Sequence, residues 1–143
     1  MKHIIIDASV ALKWYLVDEE NHHTAMHFLT EYIAGNLELI GPSLLEYEVI
    51  NGLLIAGRRG RIPEKDILNA IDGFIGLDIS LHSIASYYEK ALVLCRNYGI
   101  SIYDASYLAL AEETSAPAIT ADMNLYKKVR KRVQSLQWIG DVQ

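Results

Sequence analysis

The hydrophobic pattern divides the chain into short apolar runs and longer amphipathic stretches. Residues 2–6 form a β-branched run, Ile4-Ile5-Ile6, cut off at Asp7, and predict a buried strand. Residues 8–17 are apolar almost all round, broken by Lys13, and predict a largely buried helix. Residues 21–34 set Ala25, Met26, Phe28, Leu29, Tyr32 and Ile33 at helical spacing before Gly35 stops them. A second strand is expected at 37–40, then a helix over 42–56 with Pro42 at its start and Gly57 just past its end. A basic turn, Gly57-Arg58-Arg59-Gly60-Arg61, leads to Pro63 and a further helix running to about Gly73. Residues 77–80 suggest a strand. Ile84, Tyr87, Tyr88, Ala91, Leu92, Cys95 and Tyr98 make one helical stripe ended by Gly99, and 102–113 follow as another helix. A strand at 117–120, a basic helix over 122–132 and a strand at 136–139 close the pattern. Strands alternating with helices predict an α/β fold, a mainly parallel central sheet of short strands flanked by about seven helices.

Composition narrows the class. At 143 residues the chain is expected to be one domain, residues 1–143. With 51% apolar and 22% charged residues it is neither disordered nor collagen-like. A lone cysteine, Cys95, cannot close an intramolecular disulfide or build a cysteine zinc site, which points to a reducing, cytoplasmic setting. The three isoleucines before Asp7 are too few for a signal-peptide core, and no apolar run approaches the ~18 residues of a membrane span. No membrane association is therefore expected. Thirteen Lys and Arg against 18 Asp and Glu give a net charge of −5, which argues against nonspecific coating of nucleic acid. It leaves room for an enzyme that handles nucleic acid through metal ions.

The carboxylates carry the candidate chemistry. Asp7 follows the first strand and precedes a helix, where an N-cap is the simplest role. Asp122 repeats that arrangement after Ile119-Thr120, and Asp104 lies three residues after Ser101, the spacing of a capping box. Caps alone would explain all three. Yet in open α/β sheets ligands bind at the carboxyl ends of parallel strands, where Asp7 and Asp122 would both sit. Glu48 has no capping role: it lies mid-helix on a face with Leu44, Leu45, Asn51, Gly52 and Ile55, and an ionised Glu there is costly unless paired or metal-bound. Glu46 has an alternative role as the capping-box partner of Ser43, and spacing alone does not decide which glutamate faces a site. Four carboxylates gathered together need a cation. Oxygen-only ligands suit Mg²⁺ or Mn²⁺, and such a site can activate water in phosphodiester cleavage.

Four segments, Ile4-Ile5-Ile6-Asp7-Ala8-Ser9, Tyr47-Glu48-Val49-Ile50-Asn51-Gly52-Leu53, Ile102-Tyr103-Asp104-Ala105-Ser106-Tyr107-Leu108-Ala109-Leu110-Ala111 and Ile119-Thr120-Ala121-Asp122-Met123-Asn124-Leu125, occur in series. In this order and at these intervals they resemble the PIN-domain ribonucleases, most closely the VapC-type toxins of prokaryotic toxin–antitoxin pairs. The resemblance covers nearly the whole chain. It implies a single PIN-like nuclease domain, with Asp7, Glu48, Asp104 and Asp122 as an acidic quartet holding Mg²⁺ or Mn²⁺. It selects Glu48 over Glu46 through the Glu-Val-x-Asn pattern. It also implies that Ser9, Asn51 and Thr120 orient the carboxylates or waters. The expected partners are an RNA substrate, a cognate antitoxin protein and a second copy of the chain in a homodimer.

Other signals are weaker. His23 and His27 stand at i, i+4, but with no third ligand a solvated helix face is the better reading. Cys95 lies on an apolar stripe without an adjacent His and reads as core. Two basic clusters, Arg58, Arg59, Arg61 and Lys127, Lys128, Arg130, Lys131, Arg132, are either solvated surfaces or phosphate contacts for RNA. The leading expectation is a metal-dependent endoribonuclease. Its alternatives are a phospho-accepting receiver domain, for which the paired acids and late Lys are missing, a non-catalytic binding module of PIN fold, or a metal-dependent nuclease or phosphatase acting on another substrate.

Overall fold

The computed structural model describes residues 1–142. In chain order the elements are β1 (Lys2–Ile6), α1 (Ala8–Leu12), α2 (His22–Ile33), β2 (Leu37–Pro42), α3 (Leu44–Arg58), α4 (Glu64–Gly76) and β3 (Ser80–His82). Then follow α5 (Tyr88–Tyr98), α6 (Ile102–Thr114), β4 (Ala118–Thr120), α7 (Met123–Val129) and β5 (Leu136–Trp138). Every strand pair is parallel and the sheet order is β3-β2-β1-β4-β5. The chain is thus an α/β fold with a wholly parallel five-stranded sheet and, among the described residues, seven α-helices.

The all-apolar run of β1 explains its place at the centre. Ile4, Ile5 and Ile6 are buried on both faces of the sheet, each side chain contributing roughly 1.5–3 kcal/mol by leaving water. β1 pairs with β2 on one side (Ile4↔Leu39) and with β4 on the other (Ile6↔Ile119). Helices between β1 and β2 and between β2 and β3 carry the chain outward in one direction. The α5–α6 connection then brings it back to the far side of β1. The strand order reverses between β1 and β4, and a crevice at the carboxyl ends of those two strands is where ligands bind in such sheets.

Several boundaries differ from the pattern-based expectation. The first helix ends at Leu12 rather than Val17, because tertiary contacts draw the next residues away. The chain tightens through i→i−3 bonds at Trp14 and Tyr15, the Lys13 carbonyl meets His22 Nδ1 at 2.6 Å, and Trp14 Nε1 donates to the Ala25 carbonyl at 2.8 Å. Pro42 does not open α3; it is the last residue of β2, paired with His82. Gly57 does not follow α3 but lies inside it, where a Cβ would stand 3.0 Å from Ile67 Cγ1 on α4. The stripe at 84–98 breaks at Tyr87, leaving a short 3₁₀ turn before α5, and Leu92 and Tyr88 point outward while Leu94 is buried. β3 forms at Ser80–His82 instead of 77–80, and α7 stops at Val129 rather than Arg132.

Candidate active site

Asp7 begins where β1 ends. Its backbone N–H donates to the Ile119 carbonyl, extending the β1–β4 ladder by one bond. Its carboxylate caps α1, accepting from Val10 N at 3.2 Å. The capping role expected from the sequence is therefore real, but it uses only part of the carboxylate. Ser9 Oγ also donates to Oδ1, and Thr120 Oγ1 donates to Oδ2 at 2.5 Å. Each hydroxyl accepts in turn from the backbone beyond β4: Ser9 Oγ from Ala121 N at 2.9 Å, Thr120 Oγ1 from Asp122 N at 3.0 Å. Two hydroxyls thereby bolt a buried carboxylate of β1 to the loop that carries Asp122. Asp122 itself caps α7, accepting from Leu125 N at 3.2 Å.

Glu48 and Asp104 arrive from helices. Glu48 lies in the first half of α3 and is half-buried; Tyr107 Oη, from α6, donates to its Oε1 at 2.6 Å. α3 comes close to α1 at Gly52, one turn beyond Glu48, where Leu12 fills the space that a side chain would need: a Cβ would lie 2.5 Å from Leu12 Cδ1. Asp104 is in the first turn of α6, half-buried, with its backbone N–H capped by Ser101 Oγ at 3.1 Å. That is half of the expected capping box. The other predicted box is absent: Ser43 makes no side-chain cap bond, and Glu46 lines a separate cavity with Phe74, Asp78 and Leu81. Of the two glutamates it is Glu48 that meets Tyr107 and feels the charge of Asp104.

The carboxylates feel one another. Burial pushes the Asp7 carboxyl up to about 6, against the pull of its three donors and with an added push from Asp122. Asp104 is raised by burial and then by Asp122, with Lys128 and the Ser101 cap opposing. Glu48 is raised by burial, lowered by the Tyr107 hydroxyl and raised again by Asp104. A chain of like-charge repulsion thus runs from Asp7 through Asp122 and Asp104 to Glu48. Groups perturbed by desolvation and by each other, two of them at the carboxyl ends of parallel strands, make this the candidate site.

Tyr107 was not singled out by the sequence reasoning, although it lies in a segment that carried the resemblance. It is 3% exposed, and burial and Glu48 together hold its hydroxyl far above the usual phenol range, so it stays a donor. Its position three residues after Asp104, on the same face of α6, was the available signal. Asn51 is exposed, one turn along α3 from Glu48. Of the first basic cluster, Arg58 and Arg59 are exposed, while Arg61 pairs with Asp18 at 3.0 Å and Glu19 at 3.1 Å. Lys127, Lys128 and Arg130 are exposed on α7 and at its end. His23 and His27 are also exposed, as a solvated face requires, and Cys95 is half-buried against the core. Among the described residues no helix is long and apolar enough to cross a membrane.

Known proteins share both fold and sequence. A family model described as PIN domain matches residues 4–131. Ribonuclease VapC3 of Pyrobaculum aerophilum is 28% identical over 127 residues, 87% of this chain and 93% of that protein. Ribonuclease VapC9 of Mycobacterium tuberculosis is 30% identical over 122 residues, 85% of this chain and 87% of its own length. Among solved structures, a Pyrobaculum aerophilum protein superposes with a TM-score of 0.67 at 20% identity, covering 97% of this chain and 85% of that one. VapBC2 from Rickettsia felis, bound to a DNA fragment from its promoter, superposes with a TM-score of 0.61 at 13% identity, covering 95% of this chain and 96% of that one.

Proposed function

We propose, on the premise that this chain belongs to the PIN domain family, that it is a Mg²⁺- or Mn²⁺-dependent endoribonuclease and the toxin of a toxin–antitoxin pair. The carrying observation is Asp7: a buried carboxylate with donors on both oxygens, in the field of a second acid at the end of the neighbouring strand. A structural cap needs one bond and no acidic neighbour.

The donor set fits a hard divalent ion, since all four residues offer carboxylate oxygens. Among the described residues no three His, Cys, Asp or Glu side chains close on one point as a cage would. Mg²⁺ needs only one or two carboxylates, the rest of its shell being water and substrate phosphate. Bound there, the ion supplies Lewis-acid activation of water and stabilises the departing oxygen of the phosphodiester.

Asp7, Glu48, Asp104 and Asp122 are the residues that would hold the ion. Ser9 and Thr120 fix the plane of the Asp7 carboxylate, so its free lone pairs point in a set direction. Tyr107 fixes one oxygen of Glu48 and favours its ionised form. Asn51, exposed a turn away, is available to orient water or substrate. Arg58 and Arg59 offer phosphate contacts; Arg61 is held by Asp18 and Glu19 and mainly ties its turn to the α1–α2 connection. The toxin reading adds an antitoxin protein as partner and a homodimer as the assembly. A toxin–antitoxin complex from Klebsiella pneumoniae shares the fold, with a TM-score of 0.61 at 10% identity.

Purified protein incubated with total RNA tests this reading. Cleavage is expected with millimolar Mn²⁺, none with EDTA, and none from Asp104→Asn in either. RNA left intact by the wild type with Mn²⁺ present sinks the proposal; cleavage undiminished by EDTA sinks its metal dependence.

A further inference from the structure

Five of the thirteen Lys and Arg residues lie between 127 and 132, and no Asp or Glu occurs from 123 to 140. The ion pairs formed among the described residues engage Lys13, Arg61 and Lys90, and none of these five. Leu125 and Val129 hold α7 on the core, which turns the cations to solvent. Lys127, Lys128, Lys131 and Arg132 meet Asn97 and Tyr98, from the carboxyl end of α5, around a groove of about 310 Å³. The two helix ends at this groove supply roughly half a negative elementary charge each, about one in all against four cations. Helix capping therefore leaves most of the positive charge unused.

The groove is lined by the helix that starts at Asp122. Asp122 caps the same helix that carries Lys127 and Lys128, so these cations follow one of the acidic residues by one to two turns. In a chain of net charge −5, a cationic wall beside an acidic centre is a local reversal of sign. A polyanion crossing the acidic site is attracted by such a wall.

We propose that the groove between the end of α5 and α7 is a subsite for the sugar–phosphate backbone of the RNA, holding phosphates that flank the one at the acidic site. This rests on the ribonuclease reading. Lys127, Lys128, Lys131 and Arg132 supply the charge, Asn97 supplies an amide donor for a phosphate oxygen or ribose hydroxyl, and the subsite reads backbone rather than base sequence.

The test is fluorescence anisotropy of a twelve-nucleotide single-stranded RNA, in EDTA, across a series of NaCl concentrations. Lys131→Gln/Arg132→Gln is compared with wild type and with the charge-matched control Lys2→Gln/Lys65→Gln, whose sites are exposed elsewhere. The groove variant is expected to bind at least about fivefold more weakly, with a log–log salt slope smaller by about 1.4, or ~0.7 per lost contact. The control should match wild type. In Mn²⁺ the groove variant should cleave with raised KM and little change in kcat. Lys127→Gln/Lys131→Gln repeats the test should the first variant melt lower than wild type.

Wild-type affinity and slope in both groove variants overturn the proposal even where cleavage by the wild type stands. Wild-type protein that binds no RNA overturns it too. Groove-dependent binding with no cleavage in Mn²⁺ keeps the groove and removes the ribonuclease reading. A polyglutamate peptide that loses affinity in the variants while RNA does not assigns the groove to an acidic protein partner, against the proposal.

Discussion

Asp7 and Asp122 leave the ends of two neighbouring strands, whereas Glu48 and Asp104 ride on helices that merely lean over those ends, and the two pairs are held differently. The strand pair is tied together by Ser9 and Thr120, each hydroxyl bonded both to the Asp7 carboxylate and to a backbone N–H beside Asp122. The helix pair has one side-chain bond, from Tyr107 to Glu48, while Asp104 has its amide capped and is half-buried. One half is thus fixed by a parallel ladder and a closed polar network; the other depends on how α3 and α6 pack. Rigid direction for the strand pair comes from the sheet; the placement of the helix pair comes from helix packing.

The largest effect expected is the loss of activity when either half loses charge. Asp7→Asn, Glu48→Gln and Asp104→Asn should each reduce RNA cleavage to background with the fold intact by circular dichroism. Glu46→Gln, whose side chain lines a different cavity, should keep most activity. Equal loss in Glu46→Gln would erase the assignment of Glu48.

The next effect separates the halves by pH. Asp7, raised from 3.8 to about 6, binds its proton more tightly in the native than in the unfolded state. Its contribution to stability is thus full below pH ~4 and is lost as pH rises through ~6. Two units at ~1.4 kcal/mol each make this about 3 kcal/mol. Measured in EDTA, the stability of wild type relative to Asp7→Asn should fall by about that amount between pH ~4 and ~7. Millimolar Mn²⁺ at neutral pH should restore part of it, since a ligand at a hundredfold excess over its Kd adds about 2.7 kcal/mol. A difference between the two proteins that stays flat with pH would mean burial does not raise the Asp7 carboxyl as described above.

Smaller effects follow from the orienting groups, and here the strand half should be the more sensitive. Thr120→Val removes a donor from Asp7 and an acceptor from Asp122 N together; activity should drop about 10–100-fold and stability by about 1 kcal/mol. Tyr107→Phe should cost about tenfold, at the low end of that range. It should also move the acidic limb of the pH–rate profile upward, because the hydroxyl favours ionised Glu48. A Tyr107→Phe profile unmoved in pH would reduce Tyr107 to a packing residue. A larger loss in Tyr107→Phe than in Thr120→Val would reverse the ranking of the two halves.

The strand half and the topology that builds it are legible in the order of residues alone. An unbroken apolar run such as Ile4-Ile5-Ile6 has no solvent face, so it becomes a central strand, and an acid directly after it has only the strand's carboxyl end to occupy. Asp7 and Asp122 were legible for that reason, as were the alternation of strands with helices and the parallel sheet. The stops at Gly35 and Gly99 were legible too, because both adopt the positive φ that glycine tolerates best. Periodicity carried less information about helices, where any face of the cylinder is a local possibility. It did not decide between Glu46 and Glu48, and it was the resemblance that did so. It extended α1 to Val17, which His22 and the Ala25 carbonyl prevent from nine and eleven residues away. It gave Tyr107 no role, since a buried phenol acquires one only when α3 brings Glu48 to it across 59 residues. The tertiary structure also separated Arg61 from Lys128, cations of similar appearance in the chain. One is neutralised by Asp18 and Glu19, and the other stands beside Asp104. Local sequence fixes what a residue offers, but which charge it meets depends on contacts between distant segments, and those exist only once the helices are packed on the sheet.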